Sequence, residues 1–413
     1  MIAVRSRVVS VDWNLMTGWL LGFATGFVWI EPSPFEYLAL ALVLLGALAG
    51  RFRRLRRPVL GPLSLLLAYN VLAIWSCANA VDVTIGFRFL GITMLLELVW
   101  FLIASNGRVT LRGLVYGYLA AAGTTAIAVL LAELTRWSPI ASRVLWGGTW
   151  RAQGFFKDPN VMGPWLVPAF LIALEMLVGT ERIRRNMRWV VFGLLILGSI
   201  VLAGSRGGWL NAAASLLVWV MLLWRDLHGA KARRRVLGGL LLLGLLFSAV
   251  VTGLLVRDSN LWPWLVSRLS LQSYDTARFT AQQAAWRAGM THILIGIGPG
   301  QAESLIGMST HSLYARAWAE TGVLGFVALV SFFVSCARKW RVRFNEDPAA
   351  TRIRRVCMAT LAGIAVNSLY VDTLHWRHLW IIVAILTSIA STARGQADAT
   401  MSKTDQECDI NSH

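Results

Sequence analysis

At 413 residues, with 56% hydrophobic and only 15% charged residues and a mean hydropathy of +0.60, the chain carries more apolar side chains than a water-soluble fold of this length can bury. Its net charge of +18, from 39 Lys and Arg against 21 Asp and Glu, would suit a nucleic-acid binder only if the basic residues formed a stripe on a soluble face. They form short clusters between apolar runs instead, which excludes that class and names the lipid bilayer as the partner.

In chain order, apolar stretches near 13–31, 35–50, 59–80, 85–104, 111–133, 160–180, 189–204, 208–224, 236–256, 313–336, 356–371 and 377–392 predict about twelve transmembrane helices. Their lengths suit a hydrocarbon core of ~30 Å. The expectation is an all-α polytopic membrane protein with a transmembrane domain over 1–392 and a disordered cytoplasmic tail over 393–413. Arg5 and Arg7 precede the first stretch as in a signal peptide, but no small-residue cleavage site follows, so it reads as uncleaved. Basic clusters at Arg51–Arg57, Arg108–Arg112, Arg182–Arg188, Arg225–Arg235 and Arg338–Arg355 all fall on one side of this topology. Positive-inside asymmetry then puts both termini in the cytoplasm of a bacterial inner (plasma) membrane. Of the four cysteines, Cys77 is expected inside a helix, Cys336 and Cys357 at cytoplasmic helix ends and Cys408 in the tail. No disulfide framework follows.

Two outer connections are long, Leu134–Pro159 and Arg257–Thr310, and long loops on a rigid scaffold are where function gathers. The second belongs to a helical periplasmic region, 257–312, between helices 9 and 10. Arg136, Arg143, Arg151, Lys157, Arg257, Arg268, Arg278 and Arg287 stand in these connections against the positive-inside tendency. An anionic ligand would hold them there; ion pairs with Asp158, Asp258, Asp275 and Glu303 are the alternative. Arg206, in Leu202-Ala-Gly-Ser-Arg-Gly-Gly-Trp209 between two apolar helices, is the sharper case, because a cation near membrane depth needs a partner or a wet cavity. A tight turn whose Arg snorkels to the interface is the other reading.

Thr276–Arg287 predicts a helix with Phe279 and Trp286 on one face. Arg278 and Arg287, nine residues apart, fall about half a turn out of phase and do not share a target. Gly296-Ile-Gly-Pro-Gly-Gln301 lacks dinucleotide-binding spacing and reads as a tight turn back to the membrane. Ser309 or Thr310 is expected to cap the next helix, placing His311 at the positive end of its dipole, which favours the neutral imidazole a general base needs. An interfacial, hydrogen-bonded His is the alternative. Asp372, His375 and His378 could gather on a helix around a metal, but a polar cap with an Asp372–Arg377 pair is preferred to a metal site. The tryptophans Trp137, Trp146, Trp150, Trp262 and Trp264 read as interfacial residues.

Four segments carry a family resemblance: Gly154-Phe-Phe-Lys-Asp-Pro-Asn160, Gly204-Ser-Arg-Gly-Gly208, Ala277-Arg-Phe through Gly296-Ile-Gly-Pro-Gly300, and His311-Ser-Leu-Tyr through Ala319-Glu-Thr-Gly-Val-Leu-Gly325. In that order the chain resembles the superfamily of O-antigen ligases and O-antigen polymerases. The resemblance implies a GT-C-like fold and an inverting glycosyltransferase needing neither metal nor cofactor. The donor would be an undecaprenyl-diphosphate-linked glycan, and the acceptor lipid A–core for a ligase or another glycan for a polymerase. By position, Arg206 and Arg278 would bind the diphosphate and His311 would activate the acceptor hydroxyl. The family's Arg is often followed four residues later by Trp, whereas Trp286 is eight after Arg278, so Arg287 stays a second candidate. Arg151 and Lys157 are further donor-site candidates. Guanidinium suits phosphate oxygens as a bidentate fork, and a departing diphosphate needs no protonation. The paired carboxylates of glycoside hydrolysis are accordingly not sought. A transporter is the more distant reading; no inverted repeat is evident, and the polar residues gather on one face rather than at the midplane.

Overall fold

The computed structural model describes residues 12–50, 57–105, 108–136, 138–148, 151–179, 183–227, 229–257, 260–270, 273–341 and 348–392. The expected tail at 393–413, the basic residues Arg51, Arg53, Arg54 and Arg56, Asp258, Trp137 and Trp150 lie outside the described residues. Among the described residues there is no strand, only two isolated bridges, Val28 with Phe156 and Leu145 with Ala152. The helices are α1 (Trp13–Ala24), α2 (Pro34–Leu48), α3 (Arg57–Ser76), α4 (Val83–Ser105), α5 (Arg108–Thr135), α6 (Ser138–Val144), α7 (Pro159–Val178), α8 (Ile183–Leu202), α9 (Arg206–Asp226), α10 (Ala230–Arg257), α11 (Leu261–Leu269), α12 (Ser273–Thr291), α13 (Gln301–Ile306), α14 (Leu313–Arg338) and α15 (Pro348–Asn367). A last apolar helix, α16, covers Arg377–Thr392.

Each apolar stretch read from the sequence falls on one of these helices. Among the described residues seven, in α3, α4, α5, α7, α9, α10 and α14, are long and apolar enough to cross a membrane by length and composition, and α2, the Met187–Leu202 part of α8 and α16 are shorter apolar helices. The chain is therefore an α-helical polytopic membrane protein. Exposed side chains such as Leu48, Leu67, Leu217, Leu241 and Leu245 coat the outward faces, as expected where the solvent is hydrocarbon. Small residues let helices touch: Gly113 and Gly117 of α5 bring its backbone against Leu15 and Trp19 of α1, the close approach small-xxx-small spacing permits. Two large buried clusters fill most of the interior, and a small third one joins Ala285, Ile297, Ala315 and Ala319. One of the large clusters is centred on Trp100, Phe332 and Trp380, the other on Trp165, Phe156 and Trp219.

Polar residues are not confined to one face. Near the middle of α4, buried Glu97 accepts from Asn70 of α3. Glu175 on α7 accepts from Trp219 Nε1 at 2.8 Å and pairs with Arg355 at 2.8 Å. The sequence gives no hint of these pairs because each joins residues far apart in the chain. Cys77 lies inside the helical span Arg57–Asn79, as expected, at the start of the 3-10 turn that ends it. It, Cys336 and Cys357 are free and buried.

The long connection after α10 is helical, as α11, α12 and α13, and its last turn docks into a break in α14. Gly322 has φ 64° and ψ −171°, a region open only to glycine. There the helix opens to accept the Gly296-Ile-Gly-Pro-Gly300 turn. Ile297 N and Gly298 N donate to the carbonyls of Ala319 and Glu320 at 2.9 and 3.0 Å, and Val323 N donates to Ile293 O at 2.7 Å. A Cβ on Gly322 would stand 2.5 Å from Ile295 N and Leu294 C, and one on Gly296 (φ 73°) 2.4 Å from Glu320 C. Gly322→Ala should therefore lower thermal stability in detergent by roughly 2 kcal/mol or more, since strain and overlap act together. A scan following tryptophan fluorescence checks this, with Gly238→Ala, which meets nothing within 4 Å, as the neutral control.

Candidate active site

The loop between α8 and α9 is short because Gly204 turns the chain in the left-handed region at φ 57°. Ser205 then caps α9, its Oγ accepting from Gly208 N at 3.1 Å. Arg206 is thus the first residue of α9. From there its guanidinium reaches across to the α11–α12 connection. It donates to Ser270 O at 3.1 Å and to Tyr274 Oη at 3.4 Å, and pairs with buried Asp275. The alternative of a lone snorkelling Arg does not describe it.

Tyr274, Asp275, Arg278, Phe279 and Gln282 lie one, four, five and eight residues along α12 from the first of them, a spacing that puts them on one face. With Arg151, Arg206 and Arg268 they line a cavity of about 360 Å³, the size of a small-ligand site. Arg151 comes from the extended segment before α7. That segment is pinned by Ala152 N donating to Leu202 O at 2.8 Å and Trp146 N to Arg151 O at 2.7 Å. Arg151 Nη2 lies 3.3 Å from Asn160 Oδ1. Burial, followed by the positive charge of Arg268, disfavours its charged form, though a guanidinium stays protonated regardless.

His311 stands beside this cavity. Its carbonyl accepts from Gln282 Nε2 at 3.1 Å, and the same amide reaches Leu369 O at 3.2 Å. Gln282 thereby joins the cavity wall, His311 and the turn after α15. The cap of α14 is Ser312, whose Oγ accepts from Ala315 N at 3.3 Å and donates to Ser368 O at 3.1 Å. Ser309 and Thr310 do not cap it. His311, at φ 47°, has a left-handed backbone that cannot continue a helix, so capping passes to its successor. Such strain in a non-glycine residue collects at functional sites. Burial and then the charge of Arg278 lower the His311 pKa below its ordinary 6.5, while Asp158, Glu303 and Asp372 act in the opposite sense. The neutral imidazole thus has a cause other than the helix dipole expected of it.

Arg206, Arg278 and Arg151 are brought together with His311 at their edge. Arg287 lies exposed on α12 away from the cavity lining, and Lys157 pairs with Glu31 at 3.1 Å. Phe279 faces the cavity, while Trp286 packs against Trp318 with ring centroids 5.5 Å apart. Sequence reading had Arg268 only as one of eight outer basic residues that an anion could hold, and did not single out Tyr274, Gln282 or Asn160 as site residues. For Tyr274 and Gln282 the available signal was the α12 periodicity extended on either side of Arg278.

A second charged cluster forms around Arg316. Arg316, one turn into α14 and buried, pairs with Glu303 of α13, with Glu320 at 3.4 Å and with Asp372 at 2.7 Å. The expected Asp372–Arg377 pair does not form. Arg377 instead pairs with Glu36 of α2 at 2.5 Å, because Asp372 is turned inward by the buried guanidinium. His375 meets Thr93 Oγ1 at 2.9 Å, so among the described residues Asp372, His375 and His378 do not gather as metal ligands. Removing a buried charge that holds several carboxylates costs about 3–5 kcal/mol. Arg316→Leu should therefore lose stability on that scale in thermal unfolding, whereas Glu303→Gln, at a half-exposed partner, should lose far less.

Residues 191–330 match the family model described as O-antigen ligase; no curated protein matches the chain. The match includes Arg206, Arg268, Tyr274, Arg278, Arg287 and His311 and leaves Arg151 and Lys157 outside. The matched segment runs from α8 into α14, and over it the chain is similar to the O-antigen ligase family.

Proposed function

We propose that the protein is a metal-independent, inverting glycosyltransferase that moves a glycan from undecaprenyl diphosphate to an acceptor hydroxyl, that of lipid A–core in lipopolysaccharide synthesis. The observation that carries this reading is the convergence of Arg206 and Arg278 on one cavity with His311 at its edge. In this reading the chain crosses a bacterial inner membrane about twelve times, with both termini cytoplasmic and the cavity on the periplasmic face. The positive-inside distribution of its basic clusters supports that orientation.

The acceptor O–H lies against His311, which takes the proton as the oxygen forms its bond to the anomeric carbon. The bond from that carbon to the diphosphate oxygen breaks on the opposite side, so the configuration inverts. The electron pair leaves on undecaprenyl diphosphate, where Arg206 and Arg278 stabilise the added charge. No acid is required because the leaving group departs as an anion. Arg151 adds positive potential at the same cavity. Its neighbour Lys157 takes no part, being paired with Glu31.

Purified protein incubated with an undecaprenyl-diphosphate-linked oligosaccharide, chelator and lipid A–core should give glycan on lipid A–core. Arg206→Ala and His311→Ala should each lower the rate by about 100-fold or more. Longer lipid-linked chains formed without lipid A–core would replace the ligase by a polymerase. Donor binding with no product from a range of donors and acceptors would overturn the enzyme reading in favour of a transporter.

The pH profile follows from His311. Its lowered pKa means the base is neutral at physiological pH, so kcat/KM should be level there and fall only as pH drops below about 6.5. Arg278→Gln removes the charge that assists burial in lowering this pKa. The acid limb should then move to higher pH. A limb that stays in place would deny the coupling of these residues.

A further inference from the structure

The cavity holds more arginines than the two to which the resemblance gives a role, and one phenol stands where they converge. Tyr274, in the first turn of α12, receives hydrogen bonds at its hydroxyl oxygen from Arg268 Nη2 at 3.2 Å and Arg206 Nη2 at 3.4 Å. The Arg278 guanidinium lies over its ring, 4.8 Å from the centroid, and that of Arg206 lies at 5.7 Å. Arg268 is anchored a second time by Nε to Gly204 O at 3.0 Å. It therefore rests on the same turn that starts α9 at Arg206.

Three guanidinium groups around one side chain repel each other, and something must hold them. A carboxylate at the centre would do so by cancelling charge. A phenol holds them differently: its oxygen offers two acceptor positions and its ring an electron-rich face, without a carboxylate's charge. The positive field is then left for a ligand. Both acceptor positions of Tyr274 are directed at guanidinium donors, so the O–H proton must point elsewhere. Among the described residues it has no recorded acceptor, and the side chain lines the cavity at 37% exposure. Asp275, the next residue, is already engaged by Arg206.

We propose that Tyr274 assembles Arg206, Arg268 and Arg278 around the cavity and donates its hydroxyl proton to an anionic oxygen bound there, which makes Arg268 a third anion-binding arginine. The inference rests on the reading of this cavity as a lipid-diphosphate site and adds two residues to it. A diphosphate offers several terminal oxygens, enough to engage three forked cations and one neutral donor at once. A hydroxyl held by two cations is also a stronger donor than an isolated one. Its bond to the departing diphosphate strengthens as charge accumulates there. Tyr274 is then a binding group through its proton and a positioning group through its oxygen and ring.

The test titrates undecaprenyl diphosphate, and inorganic pyrophosphate in a parallel arm, into the full-length protein in detergent by calorimetry. Tyr274→Phe keeps the ring and loses the hydroxyl; it should weaken binding of the lipid diphosphate by about tenfold with an unchanged melting temperature. Tyr274→Ala, which also releases Arg278, should weaken it further. Arg268→Ala should lose at least as much as Tyr274→Phe, and Arg268→Lys should not restore it, because one ammonium cannot replace a fork that reaches both Gly204 O and Tyr274 Oη. In the transfer assay, Tyr274→Phe should raise the donor KM and lower kcat. Wild-type affinity in both Tyr274→Phe and Arg268→Ala, with Arg206→Ala still impaired, overturns the inference and leaves the diphosphate reading standing. Loss of melting temperature without loss of affinity overturns it too, making Tyr274 a packing residue. If the wild type binds neither probe, the diphosphate reading fails and this inference falls with it.

Discussion

The ion pair between Arg206 and Asp275 ties the long apolar helices to the connection that carries α11 and α12. Arg206 begins a long apolar helix, and Asp275 lies in the first turn of a helix that is polar along much of its length. Neither group could be so well buried alone, since a half-buried charge without a partner is strongly disfavoured. Their pairing fixes the start of α12 over the start of α9. Every residue on the inner face of α12, from Tyr274 to Gln282, inherits its position from that contact.

The far end of α12 is held by a different kind of constraint. After Thr291 the chain turns into the break of α14, where backbone meets backbone at Gly296 and Gly322. The buried Arg316 then fastens α13 through Glu303 and the turn after α15 through Asp372. His311 lies between these two fastenings, on the chain from α13 to α14. Its left-handed backbone is sustained because the Ser312 cap, the Gln282 amide and the Ser368 carbonyl determine the chain on either side. The placement of a basic side chain beside an arginine cavity is thus a product of charge pairing at one end of α12 and steric fit at the other.

Much of this was legible in the sequence. Apolar period and length reveal each long helix, since a helix in lipid satisfies its backbone within itself and has to be apolar over its length. Arg206 and Arg278 were conspicuous as cations where cations are disfavoured, and the glycines of 296–300 announced a turn. What was not legible depends on partners distant in sequence. Arg316 looked like one more helix residue, because its three carboxylates come from α13, from α14 and from the turn after α15. The same holds for Asp372, assigned to nearby Arg377 when its partner lies 56 positions back in the chain at Arg316. Arg268 was one of eight outer basic residues with nothing to set it apart, and Tyr274 escaped notice, because α11 and α12 meet α9 only in three dimensions. Helical phase put Arg278 and Arg287 on different faces without saying which face meets the cavity; the Arg206–Asp275 pair decides that by turning the Arg278 face inward.

Three of the local rules that this chain breaks are broken in one region. Arg206 is the first residue of α9, and Arg316 lies in the first turns of α14, where the positive end of a helix disfavours a cation. His311 adopts a backbone conformation that few non-glycine residues take. Near Arg206 the balance is partial: Asp275 pairs with it, while Arg151, Arg268 and Arg278 share the same cavity wall. Near Arg316 the balance is reversed, with three carboxylates around one guanidinium. The acidic excess is therefore placed around Arg316 of α14, and the basic excess around the open cavity. Charges could have been matched pair by pair within each cluster, with less repulsion in both. Keeping them apart leaves a cavity whose field favours an anion and whose walls are held by groups that do not neutralise it.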